Sequence, residues 1–452
     1  MSSAIASSSS GASSAAAAAA GPQPALEIGG RFPVLRVADG QWYPAEIVHK
    51  RETADRANSQ EYFIHYLDFD RRLDEWVGID RIDVSNPAGT LESAGLDPLA
   101  SSGGDKTRLT RHQKRKFHEI HHVPQSVEEM DAATAALERE HQELTKVKYI
   151  DLIQIGKYEI TTWYFSPYPD EYGKQTKLWI CEYCLKYMGL EKSHRYHLSQ
   201  CEYRQPPGRE IYRKGNLSVF EVDGKQRKLY CQCLCLLAKL FLDHKTLYFD
   251  VSGFLFYILC EVDRHGCHIV GYFSKEKDSP DSNNLACILT LPPHQRKGYG
   301  KLLISLSYEL ARVEGLVGGP EKPLSDLGKV TYRSYWEYAI LDYIQSHPSC
   351  TVRDICSATA ISRDDVQDTL HGLGLLQYWR GSYDLCLPQR TVQEHLLRIL
   401  PRKPQLIDAA CLQWSPLYPK SPKAEKRVRL SASSLEVEPG NRLHEVAVLH
   451  KV

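Results

Sequence analysis

Some side chains in this sequence have the types and spacing that chemistry needs. Cys181 and Cys184, followed by His197 and Cys201, read C-x2-C-x12-H-x3-C. Two close pairs of thiolate and imidazole ligands supply the corners of a tetrahedron, which zinc prefers. His194 breaks the spacing that His197 keeps. With every corner filled by protein, the site reads as structural. Asn284 to Lys301, NLACILTLPPHQRKGYGK, sets Cys287 in an apolar segment and stops at Pro292 and Pro293. It then turns through Gln295, Arg296, Lys297, Gly298, Tyr299, Gly300 and Lys301. A glycine-rich turn between a strand and a helix bares successive backbone N–H groups, and the helix dipole adds positive potential. That is a cradle for phosphate. Further on, Gly318-Gly319-Pro320-Glu321-Lys322-Pro323 braces a carboxylate in a loop. Thiol, phosphate cradle and carboxylate together point to acyl transfer.

Acetylation of an amine has a specific difficulty. A lysine ammonium, with a pKa of about 10.4, lies roughly three units from neutral at physiological pH, a penalty of about 4 kcal/mol. Only the neutral amine attacks a thioester, so the site needs a base, a cofactor grip and oxyanion stabilisation. Glu321 is the candidate base; its alternative is a solvated glutamate paired with Lys322. Cys287 is the candidate nucleophile; its alternative is an ordinary strand cysteine in a core. Leu303, Leu306, Leu310 and Val313 predict an amphipathic helix that starts at Lys301. Cys231, Cys233 and Cys235 lack a second ligand pair and read as core.

These residues need elements to hold them. The chain has 452 residues, room for two or three domains. Its 56 basic and 56 acidic residues balance, so no global field draws it to nucleic acid or membrane. No apolar run reaches the length of a membrane span. The 13 cysteines suggest a reducing compartment. Residues 1–25 are Ser/Ala-rich, expected to be disordered, and lack the pattern of a secretory signal. Short strands with polar turns over 26–84 predict a small β-barrel. A linker over 85–147 carries the basic run Lys106–His118 and an expected charged helix over 126–146. A mixed α/β region spans 148–418, and 419–452 reads as a flexible tail. Residues 335–385 read as helices followed by a hairpin over Leu376–Leu387, a winged-helix pattern. Ser362 to Asp365 reads as a capping box opening a helix over Asp364–Leu373. The segment DDVQDTLHGL within it is acidic and suits DNA phosphate poorly. In the barrel, Trp42, Tyr43, Tyr62, Tyr66 and Trp76 offer either core aromatics or a methyl-lysine cage.

The motifs NLACILTLPP, QRKGYGK, GPEKPLSDLGKVTYRSYW, YFSPYP and LAKLFLDHKTLYFDV, with the finger at 181–201, resemble the MYST family of histone lysine acetyltransferases. The likeness runs from Lys148 to Trp414. The barrel resembles the chromo-barrel (tudor-knot) of the histone-H4-directed subgroup, and the chain looks like its plant members. The resemblance implies an α+β multidomain protein: the barrel, a linker, then a GNAT-like acetyltransferase core with an embedded C2HC zinc finger and a C-terminal winged-helix-like segment. It implies acetyl-CoA as cosubstrate, structural zinc, histone substrates with the H4 tail foremost, a multisubunit complex and a nuclear location. By matching position, Glu321 is the general base and Cys287 the active-site cysteine. Acetyl-CoA contacts fall on Ile288, Leu289, Thr290, Gln295 through Lys301, Ser325 and Ser334. Lys245 matches the autoacetylated lysine. Ser252-Gly253, His294, Cys233, Gly319 and Tyr196 depart from the common pattern. A non-catalytic chromatin reader and a sequence-specific DNA-binding factor are the rival readings. Intact Cys287, Glu321 and phosphate turn argue against the reader, and the acidic DDVQDTLHGL segment argues against the DNA-binding factor.

Overall fold

The computed structural model describes residues 26–52, 60–67, 69–85, 145–243, 245, 248–379, 382–399 and 404–417. The Ser/Ala-rich start, the basic run, nearly all of the expected 126–146 helix and the tail lie outside them. Two compact units part between Lys148 and Tyr149.

The first unit is an antiparallel meander of β1 (Arg31–Arg36), β2 (Gln41–Glu52), β3 (Gln60–Tyr66) and β4 (Glu75–Gly78). Alternation along β2 and β3 buries Ala45, Ile47, Tyr62, Ile64 and Tyr66 on one face, joined by Val34, Val77 and Ile82. A bridge between Val34 and Ile82 returns the chain to β1 and curls the sheet on itself.

The second unit is built on a sheet of order β13-β12-β11-β10-β9: β9 (Arg209–Lys214), β10 (Leu217–Asp223), β11 (Phe254–Asp263), β12 (Gly266–Glu276) and β13 (Ile288–Thr290). Both faces are buried, which is why every residue of β10 is buried and β11 reads as a continuous apolar run over Phe254–Cys260. Residue parity separates the two cores. Phe220, Val222, Phe256 and Ile258 face α2 (Lys228–Lys239), whose Cys231, Cys233 and Cys235 are buried with them. Val219, Tyr257, Leu259 and Phe273 face α3 (Tyr299–Val313) through Leu302, Leu303, Leu306 and Leu310. Truncating one of these leucines to alanine costs about 2–5 kcal/mol. Val313 departs from the expected stripe: it is 54% exposed at the end of the helix.

A smaller sheet, order β6-β5-β7-β8, precedes it: β5 (Leu152–Ile155), β6 (Tyr158–Thr161), β7 (Lys177–Ile180) and β8 (Tyr187–Met188). Helix α1 (Glu191–Gln200) follows it. The C-terminal part stacks α4 (Asp326–Ser346), α5 (Val352–Thr359), α6 (Arg363–Gly372), the hairpin β14 (Leu376–Trp379) and β15 (Ser382–Leu385), and α7 (Gln389–Ile399). Helix α4 begins well before residue 335, where helical structure was expected. Its buried face uses Tyr332, Tyr335 and Tyr338 as well as Ile340, Leu341 and Ile344, so no clean aliphatic stripe marks it. Ser325 caps it by accepting from Gly328 N. Among the described residues no helix is long and apolar enough to cross a membrane.

Candidate active site

The zinc ligands converge. Cys181 and Cys184 sit on the tight turn after β7, where Leu185 takes a positive φ of 63°. His197 lies on α1, and Cys201 closes it by donating its N–H to His197 O at 2.8 Å. The four ligand atoms lie within 4.8 Å of one another, the one such cluster among the described residues. Cys181 Sγ is 3.9 Å from Cys201 Sγ, and Cys184 Sγ is 3.2 Å from His197 Nε2. Zinc–sulfur bonds of about 2.3 Å in a tetrahedron put two sulfurs about 3.8 Å apart. The residues therefore fit zinc. His194 is buried outside the cluster. Glu182, between the two cysteines, meets His268 of β12 at 2.7 Å and ties the finger to the main sheet.

The phosphate turn has the expected backbone. Gly298 caps α3 at a φ of +92°, a conformation that glycine adopts without strain. The first intrahelical bond runs from Leu302 N to Gly298 O, so the N–H groups of Tyr299, Gly300 and Lys301 precede it. A Cβ on Gly300 would meet nothing nearer than Thr331 Cγ2 at 3.5 Å. The protein alone would tolerate alanine there; glycine leaves the space open above the helix start. Arg296 and Lys297 are exposed cations beside it. N–H groups at a helix start and two cations give this turn the chemistry of an anion cradle.

The other positions matched to acetyl-CoA do different jobs. The Gln295 side chain donates to Thr290 O at 3.0 Å and braces the turn against β13. Tyr299 donates its hydroxyl to Glu261. Leu289 is buried under the sheet, so only its backbone is available to a ligand, while Ile288 and Thr290 are half-buried. Strand β13 is the sheet edge, which leaves one side of its main chain without a strand neighbour. Ser325 is engaged in its cap, and Ser334 and Lys301 are half-buried on α4 and α3.

Cys287 and Glu321 sit on adjoining segments. Cys287 precedes β13 and is held by Ser274: its N–H donates to Ser274 Oγ at 3.2 Å, and Ser274 N donates to Cys287 O at 2.8 Å. Lys245 Nζ lies 3.6 Å from Cys287 Sγ, and Lys245 is only 7% exposed. Burial pulls its ammonium pKa down, but the sulfurs of Cys287 and Cys235 outweigh that and leave it raised. Glu321 N donates to Leu285 O at 2.8 Å, two residues before Cys287. Among the described residues nothing hydrogen-bonds or ion-pairs with the Glu321 carboxylate. Partial burial raises its pKa, Glu276 and Asp281 add to this, and Lys245 opposes it. A free carboxylate with a raised pKa is a better base than an ordinary one. Lys322 does not pair with it. Its ammonium goes instead to Asp365, 3.2 Å away. Sequence reasoning missed Ser274 and Asp365; the one sign of Asp365 was its place in the expected cap.

Residues 147–201 match the MYST family zinc finger domain, 205–412 the MOZ/SAS family, and 26–84 the RNA binding activity-knot of a chromodomain. A histone acetyltransferase of the MYST family from Arabidopsis thaliana is 47% identical over 398 residues, covering 88% of this chain and 87% of its own. The chain belongs to the MYST family of histone acetyltransferases. The Tip60 homolog of Caenorhabditis elegans, also a histone acetyltransferase, is 40% identical over 416 residues, covering 86% of this chain and 90% of its own. Histone acetyltransferase MOF of Drosophila melanogaster is 47% identical over 429 residues, and this chain spans 52% of its length. As a MYST enzyme the protein uses acetyl-CoA and carries a zinc finger. Acetyl-CoA supplies an activated thioester.

The barrel of this MYST enzyme does not gather its aromatics into an open cage. Tyr62 and Tyr66 are core. Tyr43 meets Tyr66 and Phe69 edge-on, with centroids 6.2 and 5.0 Å apart. Arg36 lies 5.6 Å over Phe69, and Arg51 lies 4.1 Å over Trp76. The chain's own guanidinium groups thus cover faces that a methylammonium would need. Trp42 stays exposed.

Proposed function

We propose that this enzyme acetylates lysines of the histone H4 tail in the nucleus, by direct transfer from acetyl-CoA with Glu321 as general base. The observation that carries the reading is the unpaired Glu321 carboxylate, hydrogen-bonded through its backbone to the segment that runs into Cys287, β13 and the phosphate turn. The turn grips the cofactor's phosphates and orients it along β13. Glu321 takes a proton from the incoming ammonium; the neutral nitrogen then attacks the thioester carbonyl, the C–N bond forms, the C–S bond breaks, and coenzyme A leaves as its thiol when the amine's second proton is lost. Cys287 lines the site beside Lys245 and forms no obligatory intermediate. Lys245 is the site's self-acetylation candidate. Residues 148–418 are the acetyltransferase domain and 26–84 the chromo-barrel.

The preference for H4 rests on the pairing of a chromo-barrel with this catalytic domain. With no net charge, the chain depends on partner subunits for its grip on the nucleosome. The basic run adds phosphate contacts. Initial rates on equimolar tail peptides of the four core histones test the preference: H4 is expected to lead, and equal rates would overturn it. For the thiol, Cys287→Ala is expected to keep its single-turnover rate within about threefold, small beside the effect of losing an acid–base group. Stoichiometric acetyl-Cys287, formed at the catalytic rate without amine, would contradict direct transfer. For the barrel, methylated histone peptides are expected to show no saturable binding. Binding that saturates and is lost with Trp42→Ala would restore the cage.

A further inference from the structure

The Glu321 loop is held from two sides. On one, Glu321 N donates to Leu285 O at 2.8 Å and Asn284 N to Gly319 O at 3.0 Å. On the other, Gly318 N donates to Ala360 O at 3.0 Å and Ser362 N to Gly318 O at 2.9 Å. The second set comes from the turn between α5 and α6. A capping box would return Ser362 N to the Asp365 carboxylate. Here that N–H goes to the base loop, which corrects the expected box to half of one: Ser362 Oγ still accepts from Asp365 N at 3.2 Å. The carboxylate is therefore available elsewhere. Its Oδ2 accepts from Ser362 Oγ at 2.7 Å, and its Oδ1 pairs with Lys322 Nζ at 3.2 Å. The Asp365 side chain is 4% exposed and that of Lys322 33%. Gly319 marks where the loop crosses this group, since a Cβ there would lie 2.5 Å from Asp365 Oδ2.

Lys322 directly follows the base in sequence. An ammonium resting on Glu321 would occupy its carboxylate and lower its pKa by about one to three units. We propose that Asp365 is a positioning residue for acetyl transfer: it draws the Lys322 ammonium away from Glu321 and pins the base loop to the α5–α6 turn. The inference rests on the reading of Glu321 as base. The charged groups facing Glu321 are then Glu276, Asp281 and Lys245. Lys322 faces Asp365 and Asp368, and Asp365 also faces Tyr308 and Tyr332. The acidic start of α6, unsuited to DNA, thus has a use inside the enzyme.

The test is the pH dependence of the single-turnover rate of the full chain, with saturating acetyl-CoA and an H4-tail peptide. Asp365→Asn is expected to move the acid limb down by about one pH unit and to lower the plateau roughly threefold, as a weaker base does. Adding Lys322→Gln to that variant is expected to return the limb to its wild-type place. Lys322→Gln alone is expected to leave it there, because its charge is already neutralised. A limb that Glu321→Gln abolishes but Asp365→Asn leaves in place overturns this inference alone. A limb that survives Glu321→Gln overturns the base assignment, and this inference with it. Should Asp365→Asn not fold, Lys322→Gln decides: a rise of about one unit would show that the ammonium acts on Glu321 in the native enzyme.

Discussion

Glu321→Gln lowers the acetyl-transfer rate at neutral pH by about two to four orders of magnitude, and the loss shrinks as the pH rises. The size follows from what the carboxylate must do. It removes a proton from an ammonium that is otherwise neutral in only about one molecule in a thousand. The amide keeps the shape but accepts no proton. In the native enzyme the rate is expected to fall as the pH drops through the Glu321 pKa, which partial burial, Glu276 and Asp281 raise. The variant loses that limb and gains rate toward alkaline pH, where solvent deprotonates the amine. Parallel profiles for the two proteins across pH would refute the base assignment.

Removing zinc has the second large effect. The finger's own apolar set is small: Cys181, Tyr183, Met188 and Cys201, with Cys184 and Leu198 beside it. Such a cluster does not hold a turn and a ten-residue helix alone. Structural zinc contributes about 10–16 kcal/mol in isolated fingers, more than the total stability of most domains. Chelation is therefore expected to unfold residues 181–201 and to free Glu182 from His268. Proteolysis should then cut within α1, and elemental analysis of native protein should find zinc bound. Cys184→Ser is expected to reproduce the chelated state. Zinc-free protein with an unchanged Tm would show that the four ligands are held without metal.

What the sequence made legible was local. The finger ligands and the glycine-rich turn are contiguous motifs whose spacing states their geometry; the ligands converge as read, while the helix after the turn begins at Tyr299, two residues before the expected Lys301, because Gly298 already supplies its cap. The alternating strands of the barrel were legible for the same reason. What escaped depends on contacts between distant residues. Nothing near Lys322 in sequence announces Asp365, and nothing near Ser362 announces that its N–H goes to Gly318. Helix α4 starts at Asp326, but its tyrosines blur the apolar period. Ser325 and Gln295 are polar residues beside a cofactor turn, and only the fold shows one to be a cap and the other a brace. Leu289 lies in the expected strand, yet its parity turns the side chain into the core.

This chain is expected to acetylate the H4 tail through Glu321. The deciding experiment incubates the purified protein and its Glu321→Gln variant with nucleosomes and acetyl-CoA, then locates acetyl-lysine by mass spectrometry. Modified lysines are expected to concentrate on the H4 tail, with almost none for the variant. Acetylation spread evenly over the histone tails, or equal in both proteins, would contradict it.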